Sequence, residues 1–272
     1  MSSYTSIVDI LKDLPGWEGA SVEELEGGLS NSSYLLQKGD SKAVLKVDHA
    51  LRDAPLNSRE QEARVQRAAN AEGLAGDVLF VSERLILTEY VEAPVWTSDD
   101  LLQKENLANL AQTLKRVHAL PLTGRTLNAL EAARIYIREL HNREADPIMT
   151  KQCLETIRRF RAPPNVCCCH NDLETIRRFR APPNVCCCHN DLVVANIVGS
   201  SEIRFLDWEY ACDNDPFFDL ATVVAHHRLE PALADYFLDA YFEGDGARWR
   251  SQLERQQELY DALAWLWEAT RS

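Results

Sequence analysis

Two identical segments, residues 154–172 and 173–191, follow one another in the second half of the chain. Both read LETIRRFRAPPNVCCCHND. Solenoid proteins stack several copies whose sequences differ, so one identical pair within an otherwise unrelated chain is not that architecture. A single place in a hydrophobic core accepts only one of two identical segments. The chain must therefore fold around one copy and carry the other as an insertion.

Each copy contains a Cys-Cys-Cys-His run near its end, which can be interpreted in two ways. A zinc site is one interpretation, but adjacent residues of a strand point to opposite faces and do not converge on one tetrahedral ion. The other is a short buried strand, because free cysteine behaves as a small apolar residue. We expect the strand, with Pro163-Pro164 and Pro182-Pro183 ending the preceding arginine-rich helix.

Charge and hydropathy exclude several classes of function. The 272 residues carry a formal net charge of −13, which disfavours nucleic acid or an anionic membrane as the main partner. No apolar stretch approaches the roughly 18 residues that a membrane span requires. The first residues include Asp9, Lys12 and Asp13, unlike the apolar core of a secretory signal. We expect a soluble cytoplasmic protein.

The pattern of apolar residues changes along the chain. Residues 22–91 indicate strands, among them a hairpin that turns at Gly39-Asp40, with one helix over residues 58–74. After Pro94 the pattern is helical, with an apolar stripe through residues 107–117. We predict an α+β protein with a nucleotide-binding lobe at residues 1–88, a hinge at 89–94 and a second lobe at 95–272.

Oxygen-bearing side chains lie at the end of the second repeat copy and just after it. Asp191 and Asn196 lie five residues apart in HNDLVVAN, and Asp207 ends the predicted strand Ile203–Leu206. Two carboxylates and an amide form the ligand set that a Mg²⁺–nucleotide site requires. The first lobe adds a glycine turn at Gly27–Asn31, followed by Lys46 within a strand and Glu62 on the next helix. Glu62 could hold Lys46 extended toward a phosphate.

Seven stretches of the sequence carry a resemblance to a known family. In this order they read GGLSNSSY, AVLK, SREQE, LILTEYVEA, HNDLVVAN, LDWEYA and DNDPFFDLA. Together they resemble the choline kinase and aminoglycoside phosphotransferase superfamily, whose members are two-lobed relatives of the protein kinases. The resemblance implies a bilobal protein kinase-like fold, with a small β-rich N-lobe and a larger, mainly helical C-lobe. It also implies ATP as co-substrate and Mg²⁺ as cofactor.

The resemblance assigns roles to individual residues. Asp191 is implied to be the catalytic base, Asn196 and Asp207 the Mg²⁺ ligands, and Asp219 the residue that braces the catalytic loop. The implied nucleotide-binding residues are Gly27, Gly28, Ser30, Asn31, Lys46, its ion-pair partner Glu62, and Glu89, Tyr90 and Val91 at the hinge.

The stretches LDWEYA and DPFFDLA are most similar to bacterial choline kinases, with thiamine kinases close behind. We therefore expect a small cationic alcohol as substrate, choline or ethanolamine, with Glu209, Tyr210 and Trp267 as its binding residues. Aromatic faces and carboxylates suit a quaternary ammonium, which has no N–H group to donate in a hydrogen bond. The alternatives are a thiamine or aminoglycoside kinase, or a catalytically silent kinase-fold protein disabled by its duplication.

The chain departs from the family pattern in two places. Five residues after Asp172, the last residue of the first repeat copy, stands Arg177, where an asparagine is needed. The second copy therefore fits the native strand better, whereas use of the first would displace Asp191 and Asn196 together. The chain also ends at Ser272, directly after the Trp267 helix, where family members generally continue with further helix. We expect part of the substrate lid to be missing.

Overall fold

A computed structural model describes residues 7–25, 31–48, 58–140, 146–160 and 185–270. The chain divides into two compact units. The first comprises Met1–Val95 with Val198–Tyr210, and the second comprises Trp96–Ile197 with Ala211–Ser272. This division groups residues 198–210 with the first unit, whereas the sequence-based boundaries placed them in the second lobe. Those boundaries remain a prediction.

The first unit contains a five-stranded antiparallel sheet, in the order β1-β2-β3-β5-β4. The hairpin predicted at Gly39-Asp40 is confirmed, since β2 and β3 pair Lys38 with Ser41 across this two-residue turn. Gly39 has φ +60°, which glycine adopts without steric cost. The strands are β1 (Ser21–Leu25), β2 (Asn31–Lys38), β3 (Ser41–Asp48), β4 (Val78–Val81) and β5 (Leu85–Glu89).

Alternation along β3 and β5 gives the sheet two buried faces. Leu45 and Leu87 pack on one face with helix α1 (Ile7–Asp13). Ile86 packs on the other face, in a cluster with Ala63 of helix α2 (Arg59–Ala71). Lys46 is the register partner of Ile86, so its side chain leaves the sheet on the face that α2 covers.

Helix α2 confirms the helix predicted over residues 58–74. The hydroxyl of Ser58 accepts a hydrogen bond from the Gln61 N–H (3.2 Å) and caps its start, as serine does at many helix N-termini. Gly73 lies two residues beyond its last residue and has φ +70°, a conformation common just after a helix.

Arg59, in the first turn of α2, is fully buried and ties the helix to the sheet. Its Nη2 and Nε atoms bind the two carboxylate oxygens of Asp48, at the end of β3, at 2.7 and 3.2 Å. Its Nη1 binds Glu62 at 2.6 Å. All three side chains are at most 3% exposed. A buried guanidinium is tolerated here because carboxylates satisfy its planar set of donors.

The second unit is mainly helical. Helix α3 matches the predicted apolar stripe, since Leu107, Leu110, Leu114 and Val117 are all fully buried. The helices that the structure describes in this unit are α3 (Lys104–His118), α4 (Ala129–Leu140), α5 (Pro147–Arg159), α6 (Pro216–His226), α7 (Pro231–Tyr241) and α8 (Arg250–Ala269). Helix α8 packs against α4, α5 and α6, and α3 packs against α7.

The second repeat copy forms the predicted strand. Strand β6 (Cys186–Cys188) pairs antiparallel with β9 (Cys212–Asn214), and Cys187 and Cys188 are fully buried. Between them, β7 (Ile197–Val198) and β8 (Arg204–Phe205) form a second two-stranded sheet. The first copy begins within α5, and its Cys167–Cys169 lies outside the described residues.

Among the residues that the structure describes, no helix combines the length and the apolar character needed to cross a membrane.

Removing the Arg59 guanidinium should destabilise the first unit strongly. Arg59→Met would leave the carboxylates of Asp48 and Glu62 buried without this cation, which typically costs about 3–5 kcal/mol. Arg67→Met is the matched control, because Arg67 is exposed on the same helix. Urea unfolding followed by intrinsic fluorescence measures both. Equal unfolding midpoints for the two variants would contradict a structural role for the buried guanidinium.

Candidate active site

In the second unit, the loop after β6 holds Asp191 and Asn196 together. The side-chain amide nitrogen of Asn196 donates to the backbone carbonyl of Asp191 and to its carboxylate Oδ2, both at 2.9 Å. A 3₁₀ turn at Val194–Asn196 brings Asn196 back toward Asp191. The other end of the Asn196 amide, Oδ1, is the atom that carries the lone pairs a cation needs. The structure therefore brings Asp191 and Asn196 into contact.

Asp219 fixes the backbone of this loop from behind. Its carboxylate is fully buried and accepts hydrogen bonds from the backbone N–H groups of His189 (2.9 Å) and Asn190 (2.7 Å). Asn190 has φ +66°, a left-handed conformation that costs energy for any residue except glycine. The bracing role that the resemblance implied for Asp219 is thus visible as two hydrogen bonds to the backbone.

The local sequence explains the position of Asp219. Asp215 caps helix α6, with its carboxylate accepting from the Phe217 N–H at 3.0 Å, and Pro216 occupies the first helical position, where its fixed φ suits the helix. Asp219 therefore lies on the first turn of a helix that starts at a defined residue. Burial raises the pKa of Asp215, although hydrogen bonds from Phe217, Gln252 and Gln256 oppose this shift.

His118 is not among the site residues predicted from the sequence. Its Nε2 lies 3.0 Å from Asp219 Oδ2, and its Nδ1 lies 2.6 Å from the Tyr241 hydroxyl. The pKa of Tyr241 is raised by burial and by nearby Cys186, Cys188 and Asp219. Its hydroxyl therefore stays protonated and can donate to Nδ1, which leaves Nε2–H to donate to Asp219.

In the first unit, Lys46 pairs with Asp207. The Nζ–Oδ2 distance is 2.7 Å, and the two side chains are 15% and 28% exposed. Burial by itself lowers the pKa of Lys46, but the carboxylates of Asp207, Glu62 and Glu209 outweigh it and raise that pKa. The ammonium is therefore charged. Asp207 has φ +60°, a strained conformation of the kind concentrated at functional sites.

The expected ion pair between Lys46 and Glu62 is replaced by a different arrangement. Glu62 binds Arg59, three residues earlier on α2, at 2.6 Å. Arg59 reaches this carboxylate from the same helix face, and its guanidinium offers several donors where an ammonium offers a point charge. Burial raises the pKa of Glu62, whereas Arg59 and Lys46 lower it. Lys46 thus acts on Glu62 through the electrostatic field of its ammonium group.

Glu209, predicted to bind substrate, is buried with polar residues of the first unit. Its Oε2 accepts from the side-chain amide of Asn31 at 3.4 Å and lies 4.0 Å from Arg59 Nη1. Asn31, predicted to bind nucleotide, also accepts from the Ser33 hydroxyl through Oδ1 at 3.1 Å. Gly27, Gly28 and Ser30 lie outside the described residues, so their role stays a prediction.

The remaining predicted residues lie on accessible parts of each unit. Glu89 ends β5 and accepts from the Asp77 N–H, and Tyr90 is 37% exposed beside Lys42. Val91 comes next, in the segment that leads to Val95, where the first stretch of the first unit ends. Tyr210 and Trp267 are both partly exposed; Tyr210 belongs to the first unit and Trp267 to helix α8.

Comparison with known proteins identifies relatives along most of the chain. The sequence profile of the phosphotransferase enzyme family matches residues 21–252. Protein LicA of Haemophilus influenzae is 29% identical over 229 residues, which cover 79% of this chain and 61% of that protein. The chain thus spans less than two thirds of this relative's length. LicA of H. influenzae strain Rd is 29% identical over 227 residues, covering 78% of this chain and 76% of that protein.

Solved structures share the fold. Choline kinase LicA from Streptococcus pneumoniae superimposes with a TM-score of 0.76 at 20% identity, covering 97% of this chain and 89% of that one. LicA in complex with AMP superimposes with a TM-score of 0.75 at 21% identity, covering 97% of this chain and 88% of that one. A choline/ethanolamine kinase family protein from Mesorhizobium loti superimposes with a TM-score of 0.68 at 21% identity, covering 96% of this chain and 83% of that one. The α+β, protein kinase-like fold predicted from the sequence is confirmed. Because the family profile matches residues 21–252, from β1 into α8, this chain belongs to the phosphotransferase enzyme family.

Proposed function

We propose that this phosphotransferase moves the γ-phosphoryl group of ATP to the hydroxyl of a small cationic alcohol, choline or ethanolamine. The observation that carries the proposal is the pair Asp191 and Asn196, hydrogen-bonded to each other on a loop whose backbone is held by buried Asp219. A carboxylate fixed in this way can meet a substrate hydroxyl with little reorganisation. ATP, as the intracellular phosphoryl donor, also supports a cytoplasmic location.

Asp191 is proposed to act on the acceptor. It accepts a hydrogen bond from the substrate hydroxyl, orients that oxygen toward the γ-phosphorus and takes the proton as the new oxygen–phosphorus bond forms. ADP leaves with the electron pair of the broken bond. Proton transfer to a positioned carboxylate typically contributes about 10²–10⁴-fold in rate, and Asn196 keeps that carboxylate in one orientation by binding Oδ2.

The residues proposed as magnesium ligands fit that ion chemically. Asp207 offers carboxylate oxygens and Asn196 an amide oxygen, and hard divalent cations prefer such donors. When bound, Mg²⁺ would neutralise phosphate charge, which is the main electrostatic task in phosphoryl transfer. Lys46 is proposed to contact the α- and β-phosphates, which requires its ammonium to exchange Asp207 for phosphate oxygen. Glu89, Tyr90 and Val91 are proposed to border the adenine.

A cationic alcohol is supported by the chemistry of the accessible side chains. Tyr210 and Trp267 present partly exposed aromatic rings, which bind quaternary ammonium groups through their π-faces. The net charge of −13 attracts cations in general. The carboxylate of Glu209 is engaged by Asn31 and Arg59, so we assign it to the organisation of the first unit and leave Tyr210 and Trp267 as the proposed substrate residues.

The proposal is tested by ADP release from the intact chain with Mg²⁺ and ATP. Choline, ethanolamine, thiamine and an aminoglycoside are supplied separately. ADP release that depends on choline or ethanolamine is the expected result. Release with thiamine or the aminoglycoside alone would replace the proposed substrate, and no release from folded protein would favour the catalytically silent alternative.

Replacing the proposed base should slow chemistry more than nucleotide binding. Asp191→Asn removes the proton acceptor, so kcat should fall by about 10²–10⁴-fold with KM for ATP nearly unchanged. Asp207→Ala should abolish detectable turnover, because it removes a proposed ligand of the Mg²⁺ that would neutralise phosphate charge. Asp99→Asn is the control, since Asp99 is exposed. Steady-state ADP release provides both constants, and a full kcat in Asp191→Asn would remove this residue from the chemistry.

The aromatic part of the proposal is tested within one helix. Trp267→Leu should raise KM for choline about 2- to 30-fold, the loss of one cation–π contact worth about 0.5–2 kcal/mol. Trp265→Leu is the matched control, because residues two apart on a helix lie on different faces and both tryptophans are partly exposed. If both variants changed KM equally, Trp267 would have no special part in binding.

A further inference from the structure

A cluster of soft ligands lies behind the catalytic loop of the second unit. The Sγ atoms of Cys186 and Cys188 are 3.6 Å apart. Each thiol also donates to the backbone carbonyl oxygen of Asn214, at 3.8 and 3.6 Å. One ring nitrogen of His118 completes a group of three side-chain donors that all lie within 4.8 Å of one another. We propose that Cys186, Cys188 and His118 bind one zinc-like metal ion, with the Asn214 carbonyl as fourth ligand.

Strand geometry makes the two cysteines suitable as a pair. The objection that adjacent strand residues diverge applies to Cys187, which points to the opposite face. Cys186 and Cys188 are two apart in β6 and share a face. The imidazole comes from His118 on helix α3, whereas His189 next to the run is fully buried and accepts from the Asp191 N–H through Nδ1.

The distances match those of a tetrahedral zinc site closely. Zinc–sulfur bonds of about 2.3 Å place two thiolate sulfurs about 3.8 Å apart, and a carbonyl oxygen ligand lies about 3.6 Å from each sulfur. The observed separations are 3.6 Å for the sulfur pair and 3.8 and 3.6 Å to the oxygen. The imidazole nitrogen of His118 lies at most 4.8 Å from either sulfur. Shifts of about 1 Å therefore bring it within bonding distance of the metal ion.

The surroundings of His118 suit a metal ligand. Metal-binding histidines commonly donate their second ring N–H to a carboxylate, which fixes the tautomer. His118 Nε2 already contacts Asp219 at 3.0 Å, so Nδ1 is the nitrogen for the metal. Tyr241, whose hydroxyl contacts Nδ1 at 2.6 Å, must then give way. Cys186 is partly exposed, which provides a route for the ion.

A disulfide accounts for the cysteine pair less well. Residues two apart in a strand have Cα atoms about 6.6 Å apart, at the upper end of the range that disulfides span and above their usual separation of about 5.5–6 Å. All three described cysteines of β6 are free thiols. A metal ion bridges this spacing without bending the strand away from β9, so it is the better occupant.

The test uses Co²⁺ as a coloured substitute for Zn²⁺. The full-length chain carries Cys167→Ser, Cys168→Ser and Cys169→Ser, so that the first repeat copy contributes no thiol. We expect one equivalent of Co²⁺, intense tetrahedral bands, a sulfur-to-cobalt charge-transfer band, and displacement by Zn²⁺. Both thiols must lose their protons, so about two protons should be released per ion, a measurement that needs no site variant.

Site variants decide which residues bind the ion. Cys186→Ser and Cys188→Ser should each weaken binding by at least about 100-fold, more than the loss of an outer partner. His118→Gln should weaken binding and change the tetrahedral bands. Cys187→Ser, in the same strand, and Cys153→Ser, in α5, are the matched controls and should bind normally. Absence of binding, or spectra unchanged in the Cys186 and Cys188 variants, would overturn the proposal. Spectra unchanged in His118→Gln would overturn the three-ligand site.

Discussion

The carboxylate of Asp219 is the constraint on which the loop of Asp191 and Asn196 depends. A fully buried charge is costly unless donors surround it, and here the backbone N–H groups of His189 and Asn190 and the imidazole of His118 do so. Charge-assisted hydrogen bonds are roughly twice as strong as neutral ones, so they can hold Asn190 in its left-handed conformation. That conformation turns the chain after β6 and sets the position of Asp191.

The first unit contains two cationic side chains, Arg59 and Lys46, whose carboxylate partners and roles differ. Arg59 remains charged at any ordinary pH and binds Asp48 through two atoms, which suits a fixed structural role. Because Arg59 also takes up Glu62, Lys46 is left with Asp207, a partly exposed carboxylate that it can exchange. The spacing of three residues between Arg59 and Glu62 is one at which helical side chains meet, whereas the resemblance paired Glu62 with Lys46. A sequence supplies the members of such a cluster without the distances that decide the pairing.

Short-range sequence patterns predicted those elements of the fold that depend on interactions between residues close together in the chain. The Gly39-Asp40 turn, helix α2 and the stripe on α3 arise from turn chemistry and from periods of two and 3.6 residues. The pair of Asp191 and Asn196 was found because both lie in one short loop. By contrast, His118 meets Asp219 across 101 residues, and nothing in the sequence around either residue indicates the other. Contacts of this kind depend on how whole helices pack, which short-range patterns do not encode.

The repeat shows how residues outside a segment decide which copy a fold uses. Both copies contain the same Val-Cys-Cys-Cys-His-Asn-Asp sequence, so neither has an intrinsic advantage. Asn196 binds the backbone and the carboxylate of Asp191, whereas Arg177, at the same distance from Asp172, has no oxygen to offer a cation. A longer connection costs only about 0.6 kcal/mol per doubling of its length. Two hydrogen bonds, one of them to a charged carboxylate, contribute more than that. The residues downstream of the second copy therefore favour its use as strand β6.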